Sequence, residues 1–551
     1  MSERLRRHPR LSVRAIEPRV WGLFNPDRST ALFIDDFARA LLDAVDALGD
    51  PEAALRLVDE ADESGPSPHR AMATERLESL VRFGALVAVP ADRAPAVLLV
   101  DPPCPADMRG AAGPAKGLCY LAAALEAAGG PRVRILDLRS SATASEPNRA
   151  AQAAAFCRHA GPLRPRIVGI TAVSATIDSA CFIAGLARLL FPTAYIVLGG
   201  QHASYEWKEL LSREPAIDAV VLGEGELSFP ALVERVLAEP EGAHVLLDGL
   251  HGVAWRRADG TPVSAGWSPA VEELDSLPMP RDRAYLVNAD EAPIRVARIL
   301  TARGCTFSCS FCSTASFTGR RIRRRSVASV IAEVAAWSED GVNEITFDDD
   351  IFTSDRRRAL ALCAALRESG LAERVVWGCN TRLDCLDDEI IDALAAAGCR
   401  CILIGVESGD VEIQRRFGKG RRSLEGFRDK ILHLARRGIE AQLNFILGLP
   451  GEDRASLAAI TDLVAGMPTS VKCAFNFLNV FPGTPLARDL DAFGIRSLAG
   501  GGRGRYSTLE PTVATPALDG DAQIDAFLRL RWFCETGRDT LRAAARAGAS
   551  A

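Results

Sequence analysis

The chain has 551 residues, 48% of them hydrophobic and 25% charged, with a net charge of −6. This predicts about three domains of ~100–200 residues with ordinary globular composition. It gives no electrostatic case for nucleic-acid binding, and no uncharged apolar run reaches the ~18 residues of a membrane span. Fourteen cysteines in such a chain do not read as a disulfide framework. The basic start lacks the apolar core of a signal peptide, so the expected compartment is the cytoplasm.

Residues 1–92 read as a small N-terminal domain. Residues 21–26 form a short strand and turn, and apolar residues then recur at helical spacing through Phe37, Ala40, Leu41, Ala44 and Leu48. Further helical stretches fall at 53–61 and 73–83, and 86–89 can close the unit as a strand. Three helices with a terminal hairpin form a winged-helix pattern that resembles the PqqD-like peptide-binding domains. The plainer reading is a cap over an active site.

Residues 93–240 alternate strand and helix. The run 96–100 is continuously apolar, as a parallel strand covered on both faces should be. A helix over 117–128 ends at Gly129-Gly130, and strands at 133–136, 167–171, 195–198 and 219–222 alternate with helices near 178–190 and 229–237. These repeated units predict an α/β, Rossmann-like, doubly wound domain whose ligand lies beyond the carboxyl ends of the strands. The loops there carry Ser174 and Thr176, then Gly199, Gly200, Gln201 and His202, then Gly223, Glu224, Gly225 and Glu226. Such glycines let backbone approach a large ligand closely.

Residues 241–293 read as a linker, with a hairpin at 253–263 turning on Asp259-Gly260 and a proline-rich extended stretch at 274–282. Residues 294–490 then supply strands at 294–300, 344–347, 375–378, 401–406, 441–447 and 473–480, with helices between. Six such units predict a partial (β/α)6 TIM-type barrel, with catalytic groups at the carboxyl ends of its strands. Polar residues do sit at those ends: Asp348, Asp349 and Asp350, then Asn380 and Arg382, then Glu407. Residues 491–551 read as a glycine-rich loop followed by a helix over 524–546.

On the loop after the first barrel strand stand Cys305, Cys309 and Cys312, with Phe311 just before the third. A structural zinc site wants a fourth Cys or His, and none lies between Cys312 and Cys363. An ordinary [4Fe–4S] cluster also takes four cysteines. Three thiolates leave one iron open for a substrate or cofactor. Cys379, Cys385, Cys399 and Cys401 are irregularly spaced and read as core. Arg320, Arg321, Arg323, Arg324 and Arg325 are either a solvated face or a contact for a cofactor's phosphate or carboxylate.

The cysteine loop together with the Gly-Gly-x-His and Gly-Glu-Gly-Glu runs resembles the cobalamin (B12)-dependent radical S-adenosylmethionine (SAM) enzymes over residues 95–490. The Asp-x-His-x-x-Gly run that ligates cobalt in other corrinoid proteins is absent here. The resemblance implies three cofactors: a [4Fe–4S] cluster on Cys305, Cys309 and Cys312, SAM on its open iron, and cobalamin. It places Phe311, Asp348, Asp349, Arg382, Glu407 and Asn444 around SAM. It places Ser174, Thr176, Gly199, Gly200, Gln201, His202, Gly223, Glu224, Gly225 and Glu226 around cobalamin, with His202 either a cobalt ligand or a structural hydrogen-bonder.

The implied activity is a C-methyltransferase acting on a natural-product or peptide intermediate. A 5′-deoxyadenosyl radical would activate the carbon and methylcobalamin would methylate it, with electrons from a flavodoxin- or ferredoxin-like donor. The rivals are a radical cyclase or rearrangement enzyme with the same cofactors and, from another class, a cobalamin-binding DNA regulator, which would leave the three cysteines without a use. A methylthiotransferase lacks the additional three-cysteine set it would need.

Overall fold

A computed structural model describes residues 95–537, apart from 105–112, 141–148, 241–244, 281, 291–292, 421–423, 466, 469, 499–505 and 507–509. Ahead of these it describes the backbone of five short strands. Ser12–Glu17, Val20–Asn25 and Thr30–Asp35 form an antiparallel meander, and Leu5–Arg7 pairs with Leu86–Ala88. The helical stretches expected at 37–48, 53–61 and 73–83 lie outside the described residues, as does 538–546 of the C-terminal helix.

The first sheet has seven strands. Its order is Pro262–Ser264, Val253–Arg256, Ala219–Val221, Tyr195–Gly199, Ile167–Thr171, Val97–Asp101, Val133–Asp137. The five strands from 97 to 221 are parallel, in the order 2-1-3-4-5 by sequence. The connection reverses between Val97–Asp101 and Ile167–Thr171, which makes the carboxyl ends of those two strands the expected ligand crevice. The hairpin assigned to the linker joins this sheet, because Val253–Arg256 pairs antiparallel with Ala219–Val221. Alternate residues of Val97–Asp101 feed two cores: Val97 and Leu99 face one, Leu98 and Val100 the other. The first core continues through Tyr285 and Leu286 into the apolar interior of the next domain.

That domain is a six-stranded parallel sheet in sequence order: Val296–Ile299, Glu344–Phe347, Val376–Thr381, Cys399–Glu407, Glu440–Leu447 and Lys472–Phe477. Burial alternates along Glu440–Leu447: Ala441, Leu443, Phe445 and Leu447 are buried, and Gln442 and Asn444 are not fully so. This period of two turns apolar side chains toward the covering helices and polar ones toward the inside of the curve. The helix Gly520–Trp532 lies against the last strand, Phe527 packing on Phe477 with ring centroids 5.3 Å apart. Among the described residues no helix is long and apolar enough to cross a membrane.

Candidate active site

The cysteine loop leaves the first barrel strand through a turn held by Asp349. Its carboxylate accepts from the Thr301 amide at 2.6 Å, the Thr301 hydroxyl at 2.5 Å and the Ala302 amide at 3.1 Å. Burial pushes the Asp349 carboxyl up to about 6, against the lowering effect of these donors. Ala302–Arg303 then pairs with Arg323–Arg324, closing the loop at its base. Its far side is braced from three directions. The Ser310 amide donates to the Phe417 carbonyl at 3.2 Å, the Leu486 amide donates to the Ser310 carbonyl at 3.1 Å, and a side chain at Gly418 would meet the Ser308 carbonyl at 2.6 Å.

Within this frame Cys305, Cys309 and Cys312 are free and partly exposed. Burial raises the thiols of Cys305 and Cys309, and the neighbouring cysteines add to the effect. Among the described residues no three His, Cys, Asp or Glu side chains are close enough to share a single metal ion. Cluster ligands differ in this respect, since each takes a separate iron. Phe311 buries its ring against Phe417, centroids 6.3 Å apart, at the edge of an apolar group that includes Leu449 and Leu486.

The strand-end residues divide into two sets. Asp348 pairs with Arg298 and lines a cavity together with Asp350, which accepts from the Thr314 hydroxyl at 3.0 Å. Glu407 is the strained residue: its φ is +70°, and the Ser408 amide donates to the Val406 carbonyl at 3.0 Å across it. That is a γ-turn with a non-glycine residue at positive φ, a rare and costly conformation found where side chains are held for function. Lys419 holds the Glu407 carboxylate at 2.8 Å. Asn444 accepts from Gln442 at 3.1 Å on the inner face of its strand. Asp349 and Arg382 are engaged inside the protein instead, Asp349 with the loop turn and Arg382 with Asp384 at 2.9 and 2.6 Å.

Opposite the cysteine loop lies a cavity of about 320 Å³. Its deep end is an apolar slot among Leu99, Gly169, Val197, Val221, Leu121 and Phe229. Its other wall includes Ala302, Arg303, Gly304, Phe317, Thr318 and Asp350. Gly199, Gly200, Gln201 and the run from Gly223 to Glu226 border it as expected, whereas Ser174, Thr176 and His202 do not. His202 is buried, with Ser174 Oγ 3.0 Å from its Nδ1 and Tyr506 edge-on to its ring. That packing favours the structural reading of His202 over cobalt ligation.

Glycine is required at position 200, where backbone stands in the way, and leaves room in the slot at 225 and 169. A Cβ at Gly200 (φ +99°) would stand 2.8 Å from the Ala172 carbonyl, and one at Gly225 2.9 Å from Leu121. A Cβ at Gly169 would stand 2.7 Å from Leu99. A slot kept open by glycine and walled by aliphatic and aromatic side chains suits the flat, apolar base of a corrinoid's nucleotide tail. The residues present therefore fit the two cofactor groups: three free thiols within eight residues of one loop, and a glycine-lined cradle in the neighbouring cavity.

The glutamates of the Gly-Glu-Gly-Glu run border the cavity and also form ion pairs. Glu226 pairs with Arg303 at 2.7 Å, and Glu224 takes the fork of Arg323, one arm at 2.7 Å. Burial pushes the Glu224 carboxyl up, but Arg323 and Arg303 outweigh it and hold it below the usual carboxylate range. Arg303 also lies 4.8 Å over the Tyr120 ring. Within the basic run after the cysteine loop, Arg323 thus clamps the loop to the first domain, the buried Arg325 pairs with Glu333 of the barrel, and Arg321 remains on the surface.

The profile of the radical SAM superfamily matches residues 299–464, and that of the B12 binding domain matches residues 107–233. An uncharacterized methyltransferase of Pyrococcus horikoshii is 30% identical over 399 residues, 71% of this chain and 82% of the relative. The chain belongs to the cobalamin-dependent radical SAM enzymes. Its cofactors are accordingly a [4Fe–4S] cluster, SAM and cobalamin, and it is a radical SAM enzyme of methyltransferase type. The cytidylyl-2-hydroxyethylphosphonate methyltransferase of Streptomyces wedmorensis is also 30% identical, over 58% of this chain and 65% of its own length. The solved structure of the radical SAM methyltransferase TsrM from Kitasatospora setae superposes with TM-score 0.61 at 21% identity, over 80% of this chain and 89% of that one. For a cobalamin-dependent radical SAM enzyme the two-domain arrangement is thus the expected one.

Contributors to the site missed from sequence include Gly169, Arg303 and Lys419. Gly169 sits inside a strand and Arg303 two residues before Cys305, both positions that local pattern leaves unmarked. Lys419 had a signal in sequence, for it stands between two glycines, Gly418 and Gly420.

Proposed function

We propose that this enzyme transfers a methyl group to an unactivated carbon of a small natural-product or peptide intermediate. The observation that supports this reading is the cavity shared by the cobalamin-side glycines, by Gly304 and Thr318 flanking the cluster cysteines, and by Asp350 after the second barrel strand. A methyl donor and a hydrogen-abstracting centre must both reach one carbon, so their cradles must open into one space. When bound, the cofactors supply reductive SAM cleavage and methyl donation, while the protein orients them and excludes water.

In this reading Cys305, Cys309 and Cys312 hold three irons. Asp348 and Asp350 face the amino end of SAM, Glu407 is aimed at its ribose, and the backbone at Phe311 together with Asn444 meets adenine. Gly199, Gly200, Gln201, Gly223 and Gly225 carry cobalamin, with Ser174, Thr176 and His202 stiffening the loops behind. A flavodoxin- or ferredoxin-like protein delivers electrons, and the setting is cytoplasmic.

The test is turnover by anaerobically reconstituted enzyme with cobalamin, SAM, a low-potential reductant and candidate substrates from neighbouring biosynthetic genes. Methyl transfer requires S-adenosylhomocysteine and 5′-deoxyadenosine together, with a product one methyl heavier than the substrate. A product of unchanged mass with 5′-deoxyadenosine alone would mean cyclisation or rearrangement. DNA retention in a gel-shift assay, with no turnover of SAM, would mean a regulator.

A further inference from the structure

Arg382 follows the third barrel strand and is 4% exposed. Its Nε and Nη2 close on the Asp384 carboxylate at 2.9 and 2.6 Å, and Nη2 also donates to the Lys419 carbonyl at 2.5 Å. The guanidinium carbon lies 3.8 Å from the centroid of Phe307, inside the cysteine loop. Held on these sides, the group directs Nη1 at the Cys309 sulfur, 3.7 Å away. The Lys419 ammonium, anchored by the Gly405 carbonyl at 2.7 Å and Glu407 at 2.8 Å, adds a second cation beside the cysteine loop, for a Cβ on the preceding Gly418 would stand 3.2 Å from the Cys309 amide.

A guanidinium committed in this way is poorly placed to clasp a SAM carboxylate. It is well placed to act on the ligand sulfur. Hydrogen bonds to cluster sulfurs and nearby positive charge both favour the more electron-rich state of an iron–sulfur centre. We propose that Arg382 is a positioning residue that raises the cluster's reduction potential by donating a hydrogen bond to Cys309, with Lys419 adding to the effect. The couple is a single electron taken up by the cluster from an external low-potential donor, with no proton transferred. Asp384 orients the guanidinium and partly cancels its field. The proposal rests on the cluster reading of Cys305, Cys309 and Cys312.

The experiment is an EPR-monitored redox titration of reconstituted full-length enzyme, beside iron and sulfide counts that report the cluster independently of its potential. Arg382→Gln is expected to shift the midpoint negative with iron content unchanged, and Asp384→Asn to shift it positive. A merely structural role cannot give opposite signs. Midpoints equal to wild type in both variants, or shifts of the same sign, would overturn the proposal. So would a tenfold or greater loss of SAM affinity in Arg382→Gln at an unchanged midpoint, which would return the guanidinium to the SAM carboxylate. If Arg382→Gln retains no cluster, Lys419→Met takes its place with the same expected sign. A wild-type protein that holds no iron would instead sink the cluster assignment itself.

Discussion

The ammonium of Lys116, on the first helix of the cobalamin domain, lies 2.9 Å from the carboxylate of Glu333 on the first long helix of the barrel. Both side chains are almost wholly buried, and Asp282 of the connecting segment completes the group at 3.1 Å from Lys116. Arg325, at the end of the basic run, reaches the other oxygen of Glu333 at 2.5 Å. Burial pulls the Lys116 ammonium down, but Glu333 and Asp282 outweigh it and hold it above its usual value. The two cofactor domains are therefore locked by charge as well as by shared apolar core.

Removing one partner of such a group leaves buried charge uncompensated. Lys116→Met is expected to destabilise the protein by about 3–5 kcal/mol, the range for breaking a buried pair. Arg356→Ala, which removes the exposed partner of Asp387 and Glu389, should cost far less, because solvent screens an exposed pair. Chemical denaturation of both variants checks the contrast. Equal, small losses would mean that the buried group contributes nothing to domain locking.

Asp349 supports a second prediction. Its three donors all belong to the turn that launches the cysteine loop, so its removal loosens the loop at its root. Each buried donor left unpaired costs about 1–3 kcal/mol. Asp349→Ala should lower the iron retained after anaerobic reconstitution well below the about four per chain of a full cluster. The ~400 nm absorbance of such a cluster should fall in proportion. An unchanged iron count would return Asp349 to the SAM-binding role first expected of it.

How much of this could be read in advance differs from residue to residue. The barrel strands were visible because each is an apolar run ending in polar residues, a local pattern. The hairpin at 253–263 was visible as a hairpin, yet its place on the edge of the first sheet was not, since edge pairing depends on the assembled fold. The partners of Glu224 and Arg323 lie 99 positions apart, and nothing local marks a pairing at that range. Asp349 and Asp350 are adjacent and chemically identical, and only the direction in which each side chain leaves the strand separates loop anchor from cavity wall. The strain at Glu407 was equally hidden, because glutamate carries no sequence signal for positive φ.

Glu452 supports a pH prediction. It is fully buried; one carboxyl oxygen accepts from the Gly448 amide at 2.7 Å, and the other has no hydrogen-bond partner among the described residues. Burial pushes its carboxyl from 4.5 up to about 8, with Asp453 and Asp410 adding to the effect. The folded protein thus keeps a proton that the unfolded chain releases near 4.5. Its stabilising contribution is complete below pH 4.5 and declines as pH rises toward about 8, beyond which it is flat. The slope in that window is about 1.4 kcal/mol per pH unit for one proton. Glu452→Gln, neutral at every pH, should remove this component, so the stability difference between wild type and variant should change across the window. A difference independent of pH would mean that Glu452 is ionised in the folded state.

Gly169 separates the two cofactor cradles experimentally. It lies in the floor of the apolar slot, and a Cβ there already stands 2.7 Å from the end of Leu99. That neighbour is a flexible side-chain tip, so alanine is tolerable, whereas the branched side chain of Gly169→Val extends into the slot itself. The backbone there is ordinary strand, so the substitution adds bulk without conformational strain. Gly169→Val is therefore expected to weaken cobalamin retention at least tenfold on size exclusion or equilibrium dialysis. Iron content and SAM binding, which depend on the cysteine loop and the barrel, should stay at wild-type levels. Retained cobalamin would place the nucleotide tail elsewhere, and loss of iron along with cobalamin would show that the two walls do not act as separate cradles.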